Sequence, residues 1–291
     1  MAMQLTGTGV WSGQLRFGDP GEIKDAAAEL ESLGYSALWI PDVGGDVFGA
    51  LTLILEATTT VTAATGILNI WMHTAAEVGG GLAALEADHP GRTLLGLGVS
   101  HALLIDQDAP GRYQKPLSVM RTYLEELDAA TPPLPAGQRV LAALGPKMLE
   151  LARDHARGAH PYLANPDHTR FAREVLGEGP LLLPEQPVVL ETDPETARAI
   201  GREHLSVYLQ LPNYVNNLKR IGFTDDDVSN GGSDRLIDGV VAWGDEAAIA
   251  KRVSAHFDAG ADHVCVQVAT GSRDGGMPLA AWRALAPALL G

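Results

Sequence analysis

Three imidazoles, a carboxylate and a lysine stand where aliphatic runs give out. Asp42 follows "ALWI" in "IPDVGGD", and His73 closes "LNIWMH", which also offers Asn69 and Trp71. Ser100 and His101 end "TLLGLGVSH", just past Gly98 and Val99. His160 and Tyr162 lie in "AHPYL", and Gly145, Pro146 and Lys147 in "ALGPKM". An imidazole titrates near neutral pH, so several that converge can either move protons or hold a metal. Asp42 with two histidines has the ligand types that zinc or iron favours. Gly145 ahead of Pro146 predicts a helix start, whose free amides beside Lys147 suit a phosphate.

These residues need a frame that brings strand ends together. Short aliphatic runs alternate with amphipathic ones along the chain, which predicts parallel strands joined by helical crossovers. Eight strands are read at about 6–11, 36–41, 61–68, 93–99, 139–144, 159–163, 187–192 and 263–268. Helices fall between them, with Asp193 capping before Pro194, Asp245 or Gly244 capping before Glu246, and Gly34 and Gly260 as stops. Eight alternations in 291 residues fit an α/β fold of the (β/α)8 TIM-barrel type, which takes about 250 residues plus insertions. An insertion segment at about 210–240 is expected between strands seven and eight, all within a single domain. In such a barrel the site is built at the C-terminal ends of the strands, where these polar residues fall.

The chain carries 21 Lys and Arg against 36 Asp and Glu, a net charge of −15. Phosphate-rich partners need a basic face, so nucleic acid is excluded as a partner. No apolar run approaches the ~18 residues of a spanning helix, and no leader is read at the N-terminus, so a soluble, cytoplasmic protein is expected. The one cysteine, Cys265, lies in "HVCVQV" and reads as a small buried thiol. The acidic loop "TDDDVSNGGSD" lacks the spacing and terminal Glu of a calcium loop.

Taken together, "SLGYSALWIPD", "TAATGILNIW", "HPGRTLLGLGVSH", "LAALGPKMLELA" and "GDEAAIAKRVSAHFDAGADHVCVQV" resemble the luciferase-like monooxygenase superfamily, in particular its mostly actinobacterial branch that uses the deazaflavin coenzyme F420. The resemblance implies a barrel whose strand ends cradle the deazaflavin. It implies a non-proline cis peptide in strand three, at about Gly66-Ile67, bulging behind the ring near Asn69. Gly98, Val99 and Ser100 would line the ribityl chain and phosphate, with Gly145, Pro146 and Lys147 adding amides and Tyr162 standing nearby. Asp42 matches the acidic position beside the coenzyme. Where relatives place a histidine after that acid, this chain has Val43, and where others place a glutamate at the end of strand four it has His101. His101 or His73 thus becomes the candidate acid, completing a catalytic set of Asp42, His101 and His73. The implied reaction passes a hydride between deazaflavin C5 and a small organic substrate, in a homodimer as is usual in such families.

Three other readings stay open at this point: an FMN-dependent monooxygenase on the same barrel, a flavin-binding protein without turnover, and a metal-assisted lyase.

Overall fold

The computed structural model describes residues 5–271 and 276–291. Ten strands, all paired in parallel, form one curled sheet: β1 (Gly7–Trp11), β2 (Ala37–Ile40), β3 (Thr62–Asn69), β4 (Thr93–Gly98), β5 (Arg139–Leu141), β6 (Gly158–Ala159), β7 (Leu181–Leu182), β8 (Glu185–Leu190), β9 (Ala242–Gly244) and β10 (His263–Val268). Their order is β7-β6-β5-β4-β3-β2-β1-β10-β8-β9. The two ends of that order meet, because β7 and β8 are one run interrupted only at Leu183 and Pro184. On one side the amides of Leu183 and Glu185 bond the carbonyls of Ala159 and Pro161, both at 2.9 Å. On the other, Asp262 and Cys265 donate to Leu182 and Pro184 at 2.9 and 3.0 Å. The α/β alternation read from the sequence is therefore a parallel barrel, with β9 lying outside it against Val188–Leu190.

Strand side chains alternate between two apolar environments. Trp11, Ala37, Trp39, Ala64, Leu94, Val140, Leu183 and Cys265 pack together inside the ring. Val10, Leu38, Ile40, Ala63, Leu95, Leu97, Leu141, Val264 and Val266 face the helices. Burial on both faces is what makes these strands read as continuous aliphatic runs. Cys265 is buried, as its surroundings in the sequence implied.

The predicted caps form. Asp193 accepts from the Thr196 amide ahead of Pro194, Asp245 accepts from Ala248, and Gly34 ends its helix at φ +100°. Between β8 and β9 lie the helices Pro194–Leu205, Pro212–Arg220, Asp225–Val228 and Asp234–Val240. The acidic loop spends its carboxylates locally: Asp227 closes a capping box with Thr224 and takes the Ser233 hydroxyl at 2.7 Å. No described helix is long and apolar enough to cross a membrane.

The structure corrects three strand boundaries, the first being the fifth strand, which ends at Leu141 instead of 144. The seventh run begins at 181 instead of 187, hidden by Pro180, Pro184 and Pro187, since proline within a run argues against a strand. The sixth contributes only Gly158–Ala159 to the ladder, and "HPYL" continues as irregular chain.

Candidate active site

β2 ends at Ile40, and two left-handed glycines, Gly44 at φ +112° and Gly45 at φ +71°, turn the chain just past Asp42. The turn leaves the Asp42 carboxylate fully buried with three donors. Its Oδ2 takes the Asn69 amide at 3.0 Å and His73 Nε2 at 2.9 Å, and its Oδ1 takes the Gly44 amide at 3.3 Å. Burial pushes the Asp42 carboxyl up, but His73 and these amides outweigh it and hold the group below its ordinary value. The same hydrogen bond to Asp42 raises His73, against the opposing effect of its partial burial. The Tyr123 hydroxyl holds the His73 carbonyl at 2.9 Å, so the backbone of this residue is tied down as well as its ring.

β3 carries the irregularity. Its register with β4 shifts between Thr65 and Leu68, and the Gly66-Ile67 peptide is cis, at the position the resemblance indicated. The Trp11 indole N–H donates to the Gly66 carbonyl at 2.9 Å. A Cβ on Gly66 would stand 2.4 Å from Trp11 Nε1 and 2.8 Å from His160 Nε2. A Cβ on Gly98 would stand 2.4 Å from Ile67 Cδ1. Only glycine fits at either place.

From the bulge a chain of contacts runs to the end of β4. Asn69 Oδ1 accepts the Trp71 amide at 3.1 Å, and Trp71 Nε1 donates to the Val99 carbonyl at 2.7 Å. Ser100 adopts φ +54°, unusual for a residue with a side chain, and the Tyr113 hydroxyl holds its carbonyl at 3.2 Å. The Arg112 guanidinium donates to the Trp71 carbonyl at 2.8 Å and lies 5.5 Å from its ring.

The three imidazoles go to different places. His73 joins Asp42. His101 starts the helix Ala102–Asp108 and turns toward another segment, its Nδ1 lying 3.0 Å from Asn213 Oδ1 and its ring 5.3 Å from that of Tyr214. Burial lowers its pKa, only partly offset by Asn213, so it is held as a neutral imidazole. His160 lies inside the barrel beneath Gly66, stacked 4.3 Å from Trp39, with Nδ1 2.7 Å from the Leu183 carbonyl. Burial drives His160 down to about 4. The sequence grouped these imidazoles by strand end, but hydrogen bonding does not join them.

Tyr162 anchors an aromatic arc across the mouth. Its hydroxyl donates to Gln267 Oε1 at 2.7 Å and meets the Tyr208 hydroxyl at 2.6 Å. Its ring lies 5.4 Å from Trp11, 5.3 Å from Tyr208 and 6.2 Å from Tyr214. Gly145 caps the helix Pro146–His155 with no side-chain bond to its first amides, and Pro146 opens it. Of the heavy atoms around Gly145, Arg220 Nη2 comes nearest to where a Cβ would stand, at 3.8 Å.

Sequence reasoning missed Arg16, Asn213, Tyr208, Tyr214, Gln267, Glu185 and Arg220. Glu185 is fully buried in β8, with Oε2 on the Leu163 amide at 2.8 Å and Oε1 unpartnered. Burial raises it to about 8. A glutamate in "LLLPEQPVVL" was the available signal, since a charge inside an apolar strand run needs a reason.

A curled parallel sheet with polar residues gathered at its strand ends is the arrangement of a TIM-barrel enzyme. The family model for luciferase-like monooxygenases matches residues 2–263, and the chain belongs to that family. Among solved structures it resembles an F420-dependent secondary alcohol dehydrogenase in complex with an F420-acetone adduct, at 17% identity and TM-score 0.68, covering 98% of this chain and 99% of that one. It also resembles the coenzyme F420 dependent tetrahydromethanopterin reductase from Methanopyrus kandleri, at 16% identity and TM-score 0.70, covering 98% of each chain. A third likeness is the oxygenating constituent of 3,6-diketocamphane monooxygenase from Pseudomonas putida, in complex with FMN, at 13% identity and TM-score 0.68, covering 98% and 99%. No curated protein matches the sequence.

Proposed function

We propose that the chain is an F420-dependent oxidoreductase that moves a hydride between the deazaflavin C5 and a small organic substrate, a carbonyl or alcohol or an activated alkene. The observation that carries this reading is the buried Asp42–His73 pair beside the Gly66-Ile67 bulge. It combines a fixed proton carrier with a cis peptide held from inside the barrel by Trp11 and His160, which pack against Gly66. The residues suit the coenzyme. Gly66 and Ile67 would back the ring, and Asn69, Gly98, Val99 and Ser100 would line the chain leading from it. The uncapped start of Pro146–His155, with Gly145, Lys147 and Arg220, would take its phosphate. Tyr162 closes the far side.

When bound, the deazaflavin supplies two-electron hydride chemistry, and the protein supplies orientation and protonation. His73 Nε2 is engaged by Asp42, which leaves Nδ1 to exchange a proton at the substrate oxygen or carbon. Asp42 orients that ring and keeps it protonated to higher pH. His101, neutral and tied to Asn213, would orient substrate from the opposite side. The enzyme is read as a cytoplasmic homodimer acting on a small molecule. An FMN-dependent monooxygenase is the second reading, favoured by the FMN-bound neighbour of equal TM-score.

Titrating the protein with F420 and with FMN tests the choice. Tighter binding of F420 is expected, and FMN binding without F420 binding would reject it.

A further inference from the structure

Two arginines among the described residues are almost completely buried, and they are treated differently. Arg139, 1% exposed, donates to the carbonyls of His155 and Leu134 and pairs with Asp128 at 2.8 Å. Arg16, 8% exposed, has one hydrogen bond from its guanidinium, from Nη2 to the Gly44 carbonyl at 2.6 Å. Its Nε is buried without a partner, and no carboxylate among the described residues pairs with it. A buried charge is expensive unless a counter-charge and hydrogen bonds compensate it. Of the two arginines buried this deeply, Arg16 is the one without a carboxylate among the described residues, in a chain that has 36 acidic side chains.

The position is the mouth of the barrel. Arg16 follows β1 in the short helix Gln14–Phe17, and the Gly44 that it holds by the carbonyl is held by the amide to Asp42. Around it are three of the most exposed apolar side chains: Phe17 at 57%, Val43 at 70% and Met72 at 46%. The Arg16 guanidinium lies 4.9 Å from the Phe17 ring, and Met72 Cε is 3.6 Å from where a Gly44 Cβ would stand. A planar fork with free donors, set among apolar surfaces, matches a carboxylate or phosphate carried on an apolar body.

We infer that Arg16 is the anion-recognition residue of the site, binding the carboxylate or phosphate of a molecule whose apolar part lies on Phe17, Val43 and Met72. The inference rests on the reading above only for the source of that anion, which is either the substrate or the acidic side chain of the coenzyme.

Binding of octanoate and of octanamide to the coenzyme-free protein tests it first. The wild type should prefer octanoate by about tenfold or more, the worth of one charge-assisted hydrogen-bond pair. Arg16→Met should abolish the preference, and Arg16→Lys should keep part of it. The second arm compares F420 with the same deazaflavin lacking its phosphate and carboxylates, and FMN with riboflavin. A discrimination that Arg16→Met erases there, without an octanoate preference in the wild type, assigns the anion to the coenzyme. Equal binding in both arms, or preferences untouched by Arg16→Met, overturns the inference. The wild-type arms need no variant to fold. Failure to bind any flavin or deazaflavin would overturn the proposed function while leaving the octanoate arm to judge Arg16.

Discussion

His73 Nε2 lies 2.9 Å from Asp42 Oδ2, and each partner alters the other's titration: the imidazole is raised and the carboxyl lowered. A histidine raised in the fold stabilises it below its unfolded pKa, and that contribution is lost as pH rises through the folded value.

Asp42→Asn removes the charge and leaves the shape. The His73 titration followed by imidazole NMR should then move down toward its ordinary value. Turnover should fall by about a hundredfold, as for loss of a positioned proton carrier. An unchanged His73 titration would dissolve the pair as a functional unit.

Gly98→Ala puts a methyl 2.4 Å from Ile67 Cδ1 and should cost about 1–3 kcal/mol in denaturant unfolding, with coenzyme affinity weakened alongside. Gly80 makes the contrast: it is exposed in the helix Ala75–Asp88, and no heavy atom lies within 4 Å of its Cβ position. Gly80→Ala should stabilise by about 0.5–1 kcal/mol. Equal effects at the two sites would show that the β4 end is not tightly fitted.

Acid should unfold the protein early. Burial drives His160 and His168 down to about 4 and His256 and His263 to about 3, from an ordinary 6.5. Each is neutral in the fold and protonated when unfolded, so stability is full above 6.5 and is lost as pH falls toward those values. Melting temperature measured from pH 7 to pH 4 should fall steadily, and a flat profile would contradict the neutral assignment.

Glu185 acts in the opposite direction. Burial raises it from 4.5 to about 8, so the folded chain keeps a proton that the unfolded chain releases. Its contribution is full below 4.5 and declines as pH rises through 8. Above 6.5 the buried neutral histidines no longer contribute a slope, so the loss of stability as pH rises toward 8 comes from Glu185 together with His73, the one histidine that the fold raises. Glu185→Gln, which copies the neutral acid, should reduce that slope and leave the part due to His73, as read by chemical denaturation at several pH values.

How far these features could be read from sequence follows from how local their causes are. β2, β3, β4 and β10 were legible because each is buried on both faces and reads as an uninterrupted aliphatic run. β7 and β9, two and three residues long, are fixed by neighbours far along the chain and leave no pattern of their own. Asp42 announced itself by following an apolar strand and preceding paired glycines. That it binds His73 rather than capping the next helix, a task Asp46 performs, depends on a bend 31 residues away. Arg16 was invisible because its single acceptor is a backbone carbonyl 28 positions on. The tyrosine arc joins Tyr162 to Tyr208, 46 residues apart, across a connection with no periodic signature.

Asn213 and Tyr214, which steer His101, sit on the connection after β8, while Asp42 and His73 are built on the closed ring itself. Under the proposed function, proton handling and molecular choice are thus housed in separable parts. On that reading, grafting a different 205–240 stretch onto the same ring would change what is bound without rebuilding the Asp42–His73 pair.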